Sequence, residues 1–159
     1  MKAVIQRVLK ASVTVSDEVV GSIEKGLCVL IGISRDDTEK DMEFIAKKIL
    51  SLKLFDNEGS QWKKSVMDSD YGVLCVSQFT LYARTDKGAK PDFHQAMNSA
   101  TSEEFYNKFL DLMKSKYKPE KIANGQFGAV MKVDIQNDGP VTIILESPKK
   151  EKEVEVKKE

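Results

Sequence analysis

Apolar and polar positions alternate one by one at the start of this chain, and later recur at spacings of three and four; this switch of period divides the sequence into elements. Val4, Gln6 and Val8 alternate with Ile5 and Arg7, the period of a strand with unlike faces. Ser12 to Val15 leads through Ser16-Asp17-Glu18 into Val19 to Ile23, which predicts a hairpin. Gly26 then opens Leu27 to Ile33, an unbroken apolar run of the kind buried on both faces. After it Met42, Ile45, Ile49 and Leu52 mark a helix over about 38–52, with Thr38 and Asp41 placed as a capping box. Asp56-Asn57-Glu58-Gly59 is a turn, the polar stretch from there to Tyr71 is loop, and Gly72 to Tyr82 is the next strand. Arg84 to Pro91 is a basic, glycine-containing loop, and Pro91-Asp92-Phe93-His94 starts a short helical turn. A second helix is capped at Thr101, with Glu104 three residues on. Its buried face is Phe105, Phe109 and Leu112, flanked by Tyr106 and Met113, and it ends before Pro119. Gly125 to Gln136 and Val141 to Leu145 close the pattern as two strands.

This order, strands then helix, strand, helix, strands, indicates an α+β domain with much antiparallel pairing. No internal repeat is visible. With 159 residues one domain is expected, spanning 1–146, followed by a Lys/Glu tail over 147–159 that should be disordered.

Charge and cysteine content narrow the function classes. Lys plus Arg and Asp plus Glu both number 25, so no global field draws the molecule to nucleic acid or membrane. Any RNA contact must come from a local patch. Cys28 and Cys75 lie in apolar runs and read as core residues of a reduced, cytoplasmic protein, with no metal site and no disulfide. The strand-like start has no targeting character, and nothing approaches membrane-spanning length.

Two polar breaks inside apolar runs carry the candidate chemistry. The first is Ser77-Gln78-Phe79-Thr80-Leu81, entered from Val73-Leu74-Cys75-Val76. Its hydroxyls and amide could hold a substrate while backbone N–H groups at the strand end stabilise an oxyanion. The plainer reading is a strand end whose polar groups satisfy a turn. Thr80 as a nucleophile needs a base, and the single histidine, His94, shows no triad pattern. Asp92, Asp138 or the substrate itself are the other sources of a base. The second break is Asn137-Asp138-Gly139-Pro140-Val141-Thr142, by default a hairpin turn; a cis Gly139–Pro140 bond would instead fix neighbouring carbonyls toward a pocket. Arg84, Lys87 and Lys90 could meet phosphates, or form a solvated loop. Phe127 and Met131, four apart on a strand, could stack on a base, although core packing is commoner.

Taken together, these strings resemble the D-aminoacyl-tRNA deacylases. Val76 to Leu81, Lys87-Gly88 with Lys90 to Phe93, Gly125-Gln126-Phe127-Gly128 and Asn137 to Thr142 carry the likeness, with Gln6-Arg7-Val8 and Asp37-Thr38. It runs from residue 1 to about 146. The resemblance implies a compact, barrel-like homodimer whose pocket takes the aminoacylated 3′-terminal adenosine of tRNA, without a cofactor. It implies that Gly139 and cis Pro140 enter the partner's pocket and exclude L side chains, that Arg7 braces them, and that Ser77, Gln78, Phe79 and Thr80 line the reaction centre. Phe127 and Met131 would hold the adenine.

An activated ester beside a ribose hydroxyl needs little more than positioned water and a stabilised oxyanion. The Thr80 N–H would supply the latter, and the 2′-hydroxyl of the terminal adenosine would assist the water. Thr80 Oγ as nucleophile stays chemically open. Two rivals accompany this expectation. One is a nucleic-acid-binding protein without hydrolysis; the other is a threonine-dependent esterase of small esters.

Overall fold

Strand β1 (Lys2–Val15) is the spine of the fold, because both of its edges are paired. The computed structural model describes residues 1–149. One edge of β1 meets β3 (Gly26–Gly32) over residues 2–8 and β2 (Glu18–Ile23) over residues 11–15, both antiparallel. Ser16 and Asp17, at φ 47° and 67°, form the left-handed turn that joins β1 to β2 with the twist a tight hairpin needs. The other edge meets β8 (Lys132–Glu146) along nearly its whole length.

Helix α1 (Glu39–Ser51) is placed as its spacing predicts, with Thr38 and Asp41 forming the capping box. It leads to the small hairpin β4 (Phe55–Asn57) and β5 (Ser60–Lys64). Strand β6 (Gly72–Ser77) then runs parallel to β3, helix α2 (Ser99–Lys116) crosses over, and β7 (Ile122–Asn124) runs parallel to β6. The sheet order is β2-β1-β3-β6-β7, with β8 beyond β1. Its two ends approach each other: β2 packs on β7, and a Cβ at Gly21 would collide with the Asn124 carbonyl. The result is a nearly closed, barrel-like mixed sheet with two helices: the α+β class that the element order indicated, in the barrel-like form that the resemblance implied.

Period two sorts the core into two compartments. Leu27, Val29 and Ile31 of β3, Val73 and Cys75 of β6, and Ala3 and Ile5 of β1 face the helices, where they meet Ile45, Ile49, Tyr106, Phe109 and Met113. Cys28, Leu74, Val76, Val8, Ala11 and Val13 face the barrel interior. Val8 and Ala11 share a face despite opposite parity because β1 carries an extra residue, Leu9, between its pairs with Asn137 and Gln136. At about 25 cal/mol per Å², side chains buried on this scale dominate the stability of the fold.

Several elements differ from expectation, each for a local reason. Ser60 to Lys64 is a strand within the stretch read as loop; it is a solvent-exposed hairpin arm, so no apolar alternation marks it. β6 ends at Ser77, and Phe79–Tyr82 is a 3₁₀ turn rather than strand. No helical turn forms at Pro91 to His94, because Asp92 pairs across to Arg84. Helix α2 is capped by Asn98, whose Oδ1 accepts the Thr101 N–H at 3.1 Å; asparagine is the stronger cap, and it moves the start back by three residues. The buried face of α2 is Tyr106, Phe109, Leu110 and Met113, with Phe105 and Leu112 half-buried. That rotation is possible because the Tyr106 hydroxyl donates to Asn124 Oδ1 at 2.6 Å. Finally, β8 is one strand through residues 132–146, while 125–131 is a loop.

The two ends of the described chain lie together. The Met1 ammonium pairs with Asp37 Oδ1 at 2.7 Å and donates to Ser147 Oγ at 2.8 Å, and the Ser147 N–H returns to the Met1 carbonyl at 2.9 Å. The charged tail expected from 147 lies, from residue 150 on, outside the described residues. No helix among the described residues is long and apolar enough to cross a membrane.

Candidate active site

Where β6 stops, its polar residues open onto a cavity of about 600 Å³. The Ser77 position pairs with Ile31 of β3, and the Gln78 N–H donates to the Ile31 carbonyl at 2.7 Å, so the sheet holds this segment until it turns. Ile31, Ile33 and Val76 supply an apolar floor, and Ser77, Gln78 and Phe79 form one wall. Asn98, Ser99 and Ser102, in the first turn of α2, face them. Phe127 and Met131 in the 125–131 loop complete the lining.

The 3₁₀ turn that follows has a chemical consequence. Its first N–H groups, those of Phe79 and Thr80, have no acceptor among the described residues. They are donors free to meet an oxyanion. The Thr80 hydroxyl is occupied: the Gln78 side-chain amide donates to Oγ1 at 2.6 Å. Among the described residues no basic group hydrogen-bonds it. His94 instead holds Asp92, its Nδ1 lying 2.8 Å from the carboxylate, and the ring is 86% exposed. The His94 backbone N–H and the ring together hold the Asp92 carboxyl below the usual carboxylate range. Among the described residues no group of three or more His, Cys, Asp or Glu side chains could hold a metal ion.

Phe127 and Met131 line the cavity although neither is on a strand. Gly128, at φ 75°, turns the loop between them, and the Phe127 ring rests on Tyr106 with centroids 5.8 Å apart. Phe93 packs edge-on against Phe79 at 5.1 Å and 72°, so the rim is aromatic.

The second polar break lies apart from this cavity. On β8, Asn137 pairs with Val8 and Thr142 pairs with Gln6, so Asp138, Gly139, Pro140 and Val141 stand opposite Arg7 alone. They form a protrusion from the ladder, next to the extra residue Leu9 on β1, and the Gly139–Pro140 bond is cis. Asn137 clamps its base: its Oδ1 accepts the Val141 N–H at 3.0 Å, and its Nδ2 donates to Thr142 Oγ1 at 3.1 Å. Arg7 lies beneath, donating from Nη1 to the Leu54 carbonyl at 2.8 Å, with Nε 3.3 Å from Asp138 Oδ2. That ion pair is not aligned as a hydrogen bond. Gly139 sits at φ 122°, where an added Cβ would lie 2.9 Å from Val141 Cγ2 and 3.1 Å from Arg7 Nη2.

Thus Ser77, Gln78, Phe79, Phe127 and Met131 are brought together, Thr80 adjoins them, and Arg7, Gly139 and Pro140 form a separate protrusion of the same chain. The first turn of α2 and the clamp by Asn137 carried no assigned role in the sequence reading. The asparagine before the Ser99-Ala100-Thr101 run was the available signal for the former.

A family model described as D-Tyr-tRNA(Tyr) deacylase matches residues 4–146. D-aminoacyl-tRNA deacylase 1 of Mus musculus is 57% identical over 149 residues, covering 93% of this chain and 71% of that protein. D-aminoacyl-tRNA deacylase of Drosophila melanogaster is 58% identical over 148 residues, 93% of each chain. A solved structure of a c-Myc DNA Unwinding Element Binding Protein superposes with a TM-score of 0.90 at 57% identity, covering 94% of this chain and 100% of that one. A probable eukaryotic D-amino acid tRNA deacylase superposes with a TM-score of 0.79 at 17% identity, over 91% of this chain and 97% of that one, a likeness of fold.

Proposed function

The chain belongs to the D-Tyr-tRNA(Tyr) deacylase family, a family of hydrolases of the aminoacyl-tRNA ester bond, and from that premise we propose how its residues clear D-aminoacyl-tRNA. The terminal adenosine enters the cavity between Phe127 and Met131. The ester carbonyl then lies at the end of β6, with its oxygen against the Thr80 N–H. The observation that carries this reading is the pair of N–H groups without an acceptor at the head of the 3₁₀ turn, where Phe79 lines the apolar cavity and Thr80 follows it. One such donor lowers the barrier by about 3–4 kcal/mol. Water attacks the carbonyl carbon, assisted by the adenosine 2′-hydroxyl, and the 3′-oxygen leaves with the proton. Gln78 holds the Thr80 hydroxyl, which supports a backbone role for this residue over a nucleophilic one.

Chirality is selected by the second element. In the arrangement we propose, the protrusion acts in the cavity of a partner copy and the working unit is a homodimer; its absence from the cavity lining of its own chain supports this. There the Gly139 and Pro140 carbonyls face the substrate α-carbon and leave no space for an L side chain. Arg7 and Asn137 keep the protrusion in place. A wild-type chain that sediments as a monomer yet still separates D from L esters would refute the cross-subunit arrangement. Rejection by steric exclusion cannot exclude an achiral residue, so glycyl-tRNA should be cleaved as well.

The test is hydrolysis of matched D- and L-tyrosyl-tRNA and of glycyl-tRNA by wild type and Thr80→Ala. We expect loss of the D and glycyl esters alone, with Thr80→Ala retaining activity within about tenfold, since its N–H remains. Abolition of activity in Thr80→Ala, with a trapped acyl-enzyme, would establish the hydroxyl as nucleophile instead. A second reading is non-hydrolytic nucleic-acid binding, favoured by the name of the DNA-unwinding-element-binding relative. Net neutrality of the chain opposes strong duplex binding. Inertness toward every ester, with tight and salt-steep DNA binding, would favour it.

A further inference from the structure

The loop over residues 85–91 rises directly from the rim of the cavity, and its charges are sorted. Its stem is closed by reciprocal backbone bonds: the Arg84 N–H donates to the Asp92 carbonyl at 2.8 Å, and the Asp92 N–H to the Arg84 carbonyl at 2.9 Å. Both sides of the stem continue into cavity residues, since Phe79 begins the turn that precedes Arg84 and Phe93 follows Asp92. The segment after the stem is clamped in turn, with Ser34 bridged to Ala96 and the Met97 N–H donating to the Ile33 carbonyl at 3.0 Å. A loop so anchored has its base fixed next to the cavity rim, at Phe93.

Within it, the acidic groups are already engaged. Asp86 accepts from Arg84 Nη2 at 2.9 Å, and Asp92 is held by His94. Lys87 and Lys90 are exposed and enter no ion pair among the described residues. Gly88 between them is at φ 87° with nothing within 4 Å of its Cβ direction, so the tip stands clear of the body. Lys and Arg balance Asp and Glu over the whole chain, so attraction for a polyanion must be local.

We propose that Lys87 and Lys90 hold phosphodiester groups of the single-stranded 3′ end of the RNA substrate, immediately upstream of the nucleotide in the cavity. This rests on the deacylase reading and adds to it the residues that distinguish a whole tRNA from its last nucleoside. The lysines are positioning residues, remote from the reacting ester.

The experiment compares wild type with Lys87→Ala/Lys90→Ala and with Lys87→Arg/Lys90→Arg on two substrates: D-tyrosyl-tRNA, and the D-tyrosyl ester of adenosine, which has no phosphodiester. For the tRNA, kcat/KM of the alanine variant should fall roughly fivefold per lysine near 0.1 M salt, through KM, and its logarithmic salt slope should become shallower by about 1.4. The arginine variant should restore both, and the adenosine ester should be cleaved equally by all three. Unchanged tRNA kinetics, or an equal loss on both substrates, would overturn the proposal. Affinity for uncharged tRNA, measured alongside, separates the two claims: a wild type inert on both esters would overturn the deacylase reading, while the lysines stand or fall on whether the alanine variant binds tRNA more weakly.

Discussion

At the level of single residues, the proposed selectivity turns on a position with no side chain. Gly139 occupies a left-handed conformation and lies over the Arg7 guanidinium, so Gly139→Ala meets both an unfavourable φ and a contact that Arg7 or Val141 must relieve. We expect Gly139→Ala to keep the fold, with a stability loss of about 1–2 kcal/mol, and to reduce the preference for D- over L-tyrosyl-tRNA. An unaltered D/L ratio beside a measured stability loss would remove the protrusion from the selectivity mechanism. Asn137 shows what the sequence could and could not disclose at this scale. Its place in a polar string was plain, but that its side chain bonds both Val141 and Thr142 depends on the protrusion, which forms through pairing with a strand more than a hundred residues earlier.

Elements were legible where one period persisted. β1, β3 and α1 follow from their apolar spacing because each buries a continuous face. Where tertiary contacts choose among local options, the pattern was silent. Ser77 to Tyr82 reads as a continued strand, yet the ladder with β3 ends at Ser77 and the chain turns. Phe127 and Met131 reach the cavity by a glycine turn and not by strand parity. The start of α2 was misplaced because a threonine with a glutamate three residues on also resembles a cap, although Asn98 takes that position. This start faces the cavity, so the cap couples stability to binding. Asn98→Ala should cost about 1 kcal/mol in unfolding free energy and raise KM for D-aminoacyl-tRNA more than it lowers kcat. A fall in kcat with KM unchanged would mean that the first turn of α2 acts on chemistry rather than on placement.

For the molecule as a whole, the barrel interior and the helix-facing core each contain one thiol, and burial raises both. Cys28 is pushed up to about 11, and Cys75 to about 12 with a smaller contribution from its proximity to Cys28, against 9.0 in an unfolded chain. Because the folded values are the higher ones, the neutral thiols add stability that is complete below pH 9 and is lost as pH rises from 9 to about 11 for Cys28 and to about 12 for Cys75. The unfolded chain releases its protons first. Between pH 9 and 10, before Tyr82, Tyr106 and Tyr117 add the same trend, denaturant titrations should show stability falling by up to about 2.7 kcal/mol per pH unit. Cys75→Ala should roughly halve that slope, and equal slopes in wild type and variant would contradict the assignment.

The four residues of β8 that face Arg7 alone have another consequence. The ladders on either side are anchored separately, at Gln6 with Thr142 and at Val8 with Asn137. Period-two parity is therefore set independently before and after the protrusion, and Ile135 or Ile143 keeps its face whatever lies between. Shortening or lengthening this segment alters what is presented outward without shifting a single core side chain. The sheet has, in effect, an interchangeable tool mounted on a fixed handle, and under the proposed selection mechanism substrate tolerance would be retuned there by loop length while the barrel goes unchanged.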